Sequence, residues 1–123
     1  MQPDATALVA ALATGEVSCA QAVRDCLDAA GAADLGAFTH LDHSEALTLA
    51  QQSDARRARG EAIGPLEGLP VAIKANIAVA GWPLTAGLRF RRDAVAPQDA
   101  FVVQRLRAAG AIPIGLTNMD EGA

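Results

Sequence analysis

Aromatic residues, cysteines and long apolar runs are scarce in this chain of 123 residues. It holds three phenylalanines, one tryptophan and no tyrosine, whereas a nucleic-acid surface needs stacking rings beside a dense basic face. The longest stretch without a charged side chain, residues 75–88, is shorter than the ~20 residues of a membrane helix. No basic residues precede the first apolar ones, as they would in a signal peptide. We therefore expect no direct nucleic-acid contact, no membrane span and no signal peptide.

The two cysteines are Cys19 and Cys26. They fall in one predicted helix, where seven residues at a rise of ~1.5 Å each place them too far apart for a mutual disulfide. Both are expected to be small core residues. With no disulfide pair, the sequence indicates a reducing, cytoplasmic setting.

Charge and glycine are unevenly distributed along the chain. Residues 1–55 hold eight acids and a single arginine, whereas residues 56–123 hold six acids and nine bases. From Gly60 onward the chain contains eight of its eleven glycines. Because 51% of all residues are hydrophobic and only 20% are charged, the composition is that of a globular chain and excludes global disorder.

The first half of the sequence predicts three helices, each opened by a capping side chain, with an extended piece at residues 37–41 before the third. The predicted spans are Asp4 to Thr14, Ser18 to Gly31, and Asp42 to Arg59. The second helix carries an apolar face at Val23, Cys26, Leu27 and Ala30. The third has a narrower one at Ala46, Leu49, Ala50 and Ser53.

The second half predicts an α/β pattern. The run Val71 to Ile73 indicates a strand covered on both faces, and a long ordered loop follows at residues 81–87. A helix capped by Asp99 would run to Ala109, and Ala111 to Leu116 would form a second strand. The helix residues predicted to face inward are Val102, Val103 and Leu106. Because strand, helix and strand follow in this order, we expect parallel strands joined by a right-handed crossover.

Lys74 is the only lysine among ten basic residues, and it stands at the end of the first predicted strand. Partial burial there would disfavour the ammonium form and leave a neutral amine that can act as a base, which arginine cannot become. The same position also suits a lysine that extends to solvent or pairs with a carboxylate. The pattern alone leaves both interpretations open.

Several blocks of sequence, in the correct order, resemble the amidase signature family. They are residues 64–77 (GPLEGLPVAIKANI), 80–87 (AGWPLTAG), 99–100 (DA), 105–111 (RLRAAGA) and 115–121 (GLTNMDE). The resemblance implies a large α/β/α layered fold with a mixed central sheet. Residues 1–63 would then be a helical N-terminal region, and residues 64–123 the first β-α-β part of an incomplete core domain.

The resemblance also implies a Ser-cisSer-Lys triad in which Lys74 is the base. The two serines would lie beyond residue 123, since Ser18, Ser44 and Ser53 fall in the helical region. The implied activity is hydrolysis of a small carboxamide or urea-derived amide through an acyl-serine, without a cofactor, and the chain would be inactive alone. The family commonly has an aspartate after the lysine. Ala75 at that position either favours the neutral lysine or removes a support of the loop.

Other polar residues have weaker assignments. The resemblance places Asn118, Met119 and Asp120 near the acyl pocket as substrate-binding residues. Alternatively, the two polar side chains satisfy turn amides and Met119 fills core. His40 and His43 lack a third strong ligand nearby, so no metal site is predicted. The arginines at positions 89, 91 and 92 are expected on a solvated loop, with gating of an anionic substrate as the alternative.

Two further functions stay open. The chain could belong to the A subunit of an aminoacyl-tRNA amidotransferase, where the same triad releases ammonia within a complex, or it could be a non-catalytic interaction module. The expected partners are a small amide substrate and the remainder of the amidase domain, and a homodimer is compatible with the sequence. Alone, the chain would expose sheet edges and an apolar face, so we expect poor solubility or association.

Overall fold

The computed structural model describes residues 3–61 and 63–122. Within these ranges the chain forms four α-helices, one short 3₁₀ turn at Arg89–Arg91, and a sheet of three strands. In chain order the elements are α1 (Ala5–Thr14), α2 (Cys19–Ala32), β1 (Phe38–Leu41), α3 (His43–Ala58), β2 (Pro70–Lys74), α4 (Phe101–Ala108) and β3 (Ile112–Thr117). Helices thus flank a small sheet, as an α/β chain requires.

The capping side chains open the first three helices as predicted. Asp4, Ser18 and Asp42 each accept a hydrogen bond from a backbone N–H three residues ahead. Gly15 ends α1 in the left-handed conformation, with φ 75°. Gly31 does not stop α2, which continues to Ala32, because this glycine does not adopt the left-handed conformation that would end the helix.

The sheet has the order β1-β3-β2. Strand β2 runs parallel to β3, which confirms the predicted parallel pair, and β1 lies antiparallel on the other side of β3. Between Val71 and Ala72 the register shifts by one, so that Ile114 is an extra residue in β3. On the β1 side, Gly115 lies so close to the His40 carbonyl that a Cβ atom would stand 2.3 Å from its oxygen.

Two apolar cores lie on opposite faces of the sheet. The first joins α1, α2 and α3 to Ile112 and Ile114 of β3. The second packs Ile73, Val79, Trp82, Val103 and Leu116 together. The prediction that β2 is covered on both faces is wrong for the described residues. Ile73 is buried, but Ala72 and Lys74 are exposed. Among the described segments, none buries the face of β2 that carries Ala72.

Helix α4 differs from its predicted form at its first turn. It begins at Phe101 without a side-chain cap. Asp99 instead accepts a hydrogen bond from the Ala80 N–H at 2.8 Å and pairs with Arg107 at 3.0 Å. These partners lie far from Asp99 in the sequence or further along the helix, and they displace the local capping role. Val102 is half exposed, whereas Val103 is fully buried as expected.

A buried carboxylate fastens α3 to the turn before β2. Oε1 of Glu67, a residue 6% exposed, accepts hydrogen bonds from Ser53 Oγ at 2.6 Å and Arg56 Nη2 at 2.5 Å. Oε2 accepts the Gly64 N–H at 3.3 Å. Burial alone would raise the pKa of this carboxyl, but the hydrogen bonds from Ser53, Arg56 and Gly64 outweigh burial and hold the pKa below its ordinary value. Glu67 is therefore ionised, and its carboxylate links α3 to the turn before β2.

Candidate active site at the end of strand β2

Lys74 is the last residue of β2 and lies beside Thr117, the last residue of β3. The following residue, Ala75, donates its N–H to the Thr117 carbonyl at 3.1 Å and is buried. The Lys74 side chain itself is exposed among the described residues, so of the two interpretations left open by the pattern, partial burial is not seen there. Its solvent-extended alternative is the one observed, because no described segment covers it.

A loop at residues 84–88 holds the strand end from the other side. Ala86 donates its N–H to the Ala75 carbonyl at 3.2 Å, and its own carbonyl accepts the Gly122 N–H at 3.0 Å. Among described non-glycine residues it alone has a positive φ, 51°, a conformation that costs an L-residue energy. Sequence reasoning missed this pair of backbone hydrogen bonds at Ala86, because no local signal marks an alanine that adopts left-handed geometry.

Asn118, Met119 and Asp120 follow β3 at the same end of the sheet. The Asn118 side chain is engaged locally, since Nδ2 donates to the Gly36 carbonyl at 3.1 Å and Oδ1 accepts the Met119 N–H. Its backbone N–H also bonds the Ala37 carbonyl. Met119 packs against the second core and Asp120 is exposed. Asn118 thus ties the start of β1 to the end of β3, and contact with substrate stays a prediction for all three.

An open apolar groove of about 520 Å³ lies beside β2. Residues of α1, α2 and all three strands line it, among them Leu8, Cys26, Phe38, Ala72 and Ile114. Because side chains alternate along a strand, Lys74 shares the face of Ala72, which lines this groove. The groove and the lysine therefore belong to one uncovered face.

The three serines lie away from Lys74, as the helical assignment predicts. Ser18 caps α2, Ser53 bonds Glu67, and Ser44 lies in the first turn of α3. In the part of the chain that the structure describes, no serine hydroxyl hydrogen-bonds the Lys74 amine. The described residues supply a candidate base without its nucleophile.

The histidines and cysteines form no metal-binding or nucleophilic cluster in the part of the chain that the structure describes. Within residues 3–61 and 63–122, no three metal-ligating side chains converge, and the His40 ring instead lies 5.0 Å from the Trp82 ring. Cys19 and Cys26 are free thiols, and burial raises the pKa of both, which makes them poor nucleophiles. None of the helices described is both long and apolar enough to cross a membrane.

These features define an α/β protein in which a strand-end lysine lies at the carboxyl edge of two parallel strands, where such sheets place ligand sites. The family model described as Amidase matches residues 21–123. The chain belongs to the amidase signature family.

Curated relatives agree with this assignment. The chain is 44% identical over 121 residues to the A subunit of glutamyl-tRNA(Gln) amidotransferase from Salinispora tropica, and 48% identical over 117 residues to that from Ralstonia nicotianae. The first match covers 97% of this chain and 25% of the relative, and the second covers 94% of this chain and 23% of the relative. The chain thus spans about a quarter of the length of these curated relatives.

Two solved structures share this fold. One is a vestigial protein complex that reveals the evolutionary origins of an s-triazine catabolic enzyme, with a TM-score of 0.92 and 38% identity over 97% of this chain and 27% of that chain. The other is the native peptide amidase of Stenotrophomonas maltophilia, with a TM-score of 0.89 and 34% identity over 99% of this chain and 26% of that chain.

Proposed function

We propose that this chain supplies the lysine base of an amidase signature enzyme that cleaves a small carboxamide or urea-derived amide. The observation that carries the proposal is Lys74 itself. It is the only lysine of the chain and stands at the end of β2, where backbone hydrogen bonds of the next residue reach β3 on one side and the 84–88 loop on the other. A base whose backbone is fixed on both sides can be aimed at a nucleophile.

In the proposed mechanism the neutral Lys74 amine takes a proton through the cis-configured serine from the nucleophilic serine. That serine then attacks the carboxamide carbon, the protonated Lys74 returns the proton to the leaving nitrogen so that ammonia or an amine departs, and water hydrolyses the acyl-serine to free the serine. Both serines belong to sequence outside this chain, so the chain alone is expected to be inactive. The proposal includes no metal or cofactor, and the two free cysteines support a cytoplasmic setting.

The test uses the full-length product of the gene that contains this chain. Lys74→Ala is expected to lower kcat for small amides by about 10²- to 10⁴-fold, the range of one acid–base group. Lys74→Arg should lose as much, because arginine keeps the charge but cannot release its proton. If Lys74→Arg retained the wild-type rate, charge rather than proton transfer would be the role of Lys74, and the catalytic assignment would be wrong.

A second function is favoured by the relatives, which are named as the A subunit of glutamyl-tRNA(Gln) amidotransferase. In this alternative the same lysine-dependent chemistry would release ammonia for transfer inside a complex. Ammonia release that appears only when partner subunits are added, and that Lys74→Ala abolishes, would support it. Turnover of small amides at the same rate with and without added subunits would instead support the independent amidase.

A further inference from the structure

Thr117 lies directly beside Lys74 in the sheet. The strand register pairs Lys74 of β2 with Thr117 of β3, and it pairs Thr117 in turn with Phe38 of β1. Residues paired in this way project from the same face of a sheet, on strands about 4.8 Å apart. Phe38 has no hydrogen-bonding group in its side chain. Lys74 is therefore the polar side chain that the register places next to the Thr117 hydroxyl.

Two contacts fix Thr117 to the residues on either side of Lys74. The Thr117 carbonyl accepts the Ala75 N–H at 3.1 Å. The Thr117 hydroxyl donates to the Ile73 carbonyl, with 3.5 Å between the two oxygens. Both partners belong to the backbone that leads into and out of Lys74. The hydroxyl is therefore directed toward β2 and not toward β1, and the backbone sets its position relative to Lys74.

The Thr117 hydroxyl can act toward Lys74 only as an acceptor. A threonine hydroxyl has one proton and two lone pairs, and the proton is here used on the Ile73 carbonyl. A neutral lysine amine has N–H donors and a single lone pair, and its flexible four-carbon stem lets the nitrogen lean toward a neighbouring strand. An amine that donates an N–H to Thr117 has its lone pair turned elsewhere, where it can take a proton.

No described carboxylate competes for the Lys74 amine. Ala75, the next residue, carries only a methyl group and is buried in the second core. Within residues 3–61 and 63–122, no acidic side chain lies within salt-bridge distance of Lys74. A carboxylate beside an amine favours the charged ammonium, which has no lone pair. A neutral hydroxyl, in contrast, can bind the amine in the form that a base requires.

We propose that Thr117 is a positioning residue for Lys74: its hydroxyl oxygen accepts one N–H of the neutral amine and so directs the amine's lone pair to the serine proton. The inference rests on the proposed function, since it takes Lys74 as the base. Thr117 itself exchanges no proton with serine or substrate. Its contribution should therefore appear in kcat and depend on the presence of Lys74.

Three variants of the full-length gene product test the proposal. Thr117→Val removes the hydroxyl but keeps the branched shape, and it should lower kcat for small amides about tenfold with KM changed less than about twofold. Thr117→Ser keeps the hydroxyl and should retain kcat within about twofold of wild type. Thr39→Val is the matched control, because it removes an exposed hydroxyl from β1 of the same sheet. It should leave kcat unchanged.

A double-mutant cycle separates positioning from a purely structural role. Adding Thr117→Val to the Lys74→Ala enzyme should cost no further activity, because the two residues act as one unit. A further loss of about tenfold in that background would overturn the proposal. So would a Thr117→Val enzyme with the wild-type kcat, or a Thr117→Ser enzyme as impaired as Thr117→Val.

The Lys74 variants show which of the two proposals fails. If Lys74→Arg keeps the wild-type rate, Lys74 is not the base and both proposals are wrong. If Lys74→Arg is inactive but Thr117→Val keeps the wild-type kcat, the proposed function stands and only the role of Thr117 is wrong.

Discussion

Replacing Glu67 with glutamine removes one charge from a buried cluster while keeping its shape. The single amide oxygen can still accept from Ser53 and Arg56, but the NH₂ group then faces the Gly64 N–H, donor against donor. Arg56 is 36% exposed, so the ion pair is screened and adds little. The weakened charge-assisted bonds and the unpaired donor together should lower the free energy of unfolding by about 2 kcal/mol.

The loss should depend on pH in a defined direction. Because the folded-state pKa of Glu67 lies below its unfolded value, the ionised carboxylate stabilises the fold above about pH 4.3. That contribution is lost as the pH falls through the folded-state pKa. Glutamine does not titrate. The difference between wild type and Glu67→Gln should therefore stay constant between about pH 6 and 8 and shrink below about pH 4.3.

Urea unfolding of the 123-residue chain, followed by the fluorescence of Trp82, its only tryptophan, measures this difference in the free energy of unfolding. Transitions that coincide at two protein concentrations ensure that association does not distort it. Glu61→Gln is the matched control, since Glu61 pairs with Arg59 at 2.5 Å with both side chains largely exposed. It should unfold like wild type. A Glu67→Gln protein as stable as the control at neutral pH, or a difference that persists unchanged into acid, would refute the role of the buried carboxylate.

Substitutions at three other positions are expected to change the free energy of unfolding in the same urea titrations. Ala86→Gly should stabilise the chain by about 0.5 kcal/mol, because relief of the left-handed strain exceeds the added chain entropy, and Ala86→Val should destabilise it. Gly115→Ala should cost about 2 kcal/mol, since the new methyl meets the His40 carbonyl, and a neutral result would show that β1 can shift freely. Gly31→Ala, in open space on α2, should instead stabilise by about 0.5 kcal/mol.

The helix starts that the sequence predicts correctly are decided within one turn of chain. Asp4, Ser18 and Asp42 reach backbone N–H groups three residues away, so their helices can be placed from local pattern. Asp99 shows the limit of this reasoning. Its carboxylate is drawn to the Ala80 N–H, 19 residues back, and only the tertiary fold brings that donor near. Val102 shows the same limit, because the buried face of α4 depends on what the fold packs against it, and Val103 is buried there while Val102 is half exposed.

The candidate site also has features that the sequence predicts and features that it does not. The position of Lys74 at a strand end follows from an apolar run and a family resemblance, and the structure has it there. Its exposure does not follow, since the covering of a strand face depends on segments far away in sequence. The hydrogen bonds of the Glu67 carboxylate cannot be predicted from local sequence either. Its partners Ser53 and Arg56 lie 14 and 11 residues away and become neighbours only when α3 packs on the turn before β2.

One residue of β3 explains which side chain of that strand lies beside Lys74. Pro113 has no N–H, and a proline inside a central strand is tolerated at a bulge, which here makes Ile114 the extra residue. After the bulge, Leu116 pairs with Ile73 in the second core, although Ile114, two residues earlier, packs in the first. Without the shift, Leu116 would pair with Lys74 and lie on the face of Ala72 instead of in the second core. The bulge therefore places Thr117, and not Leu116, beside Lys74.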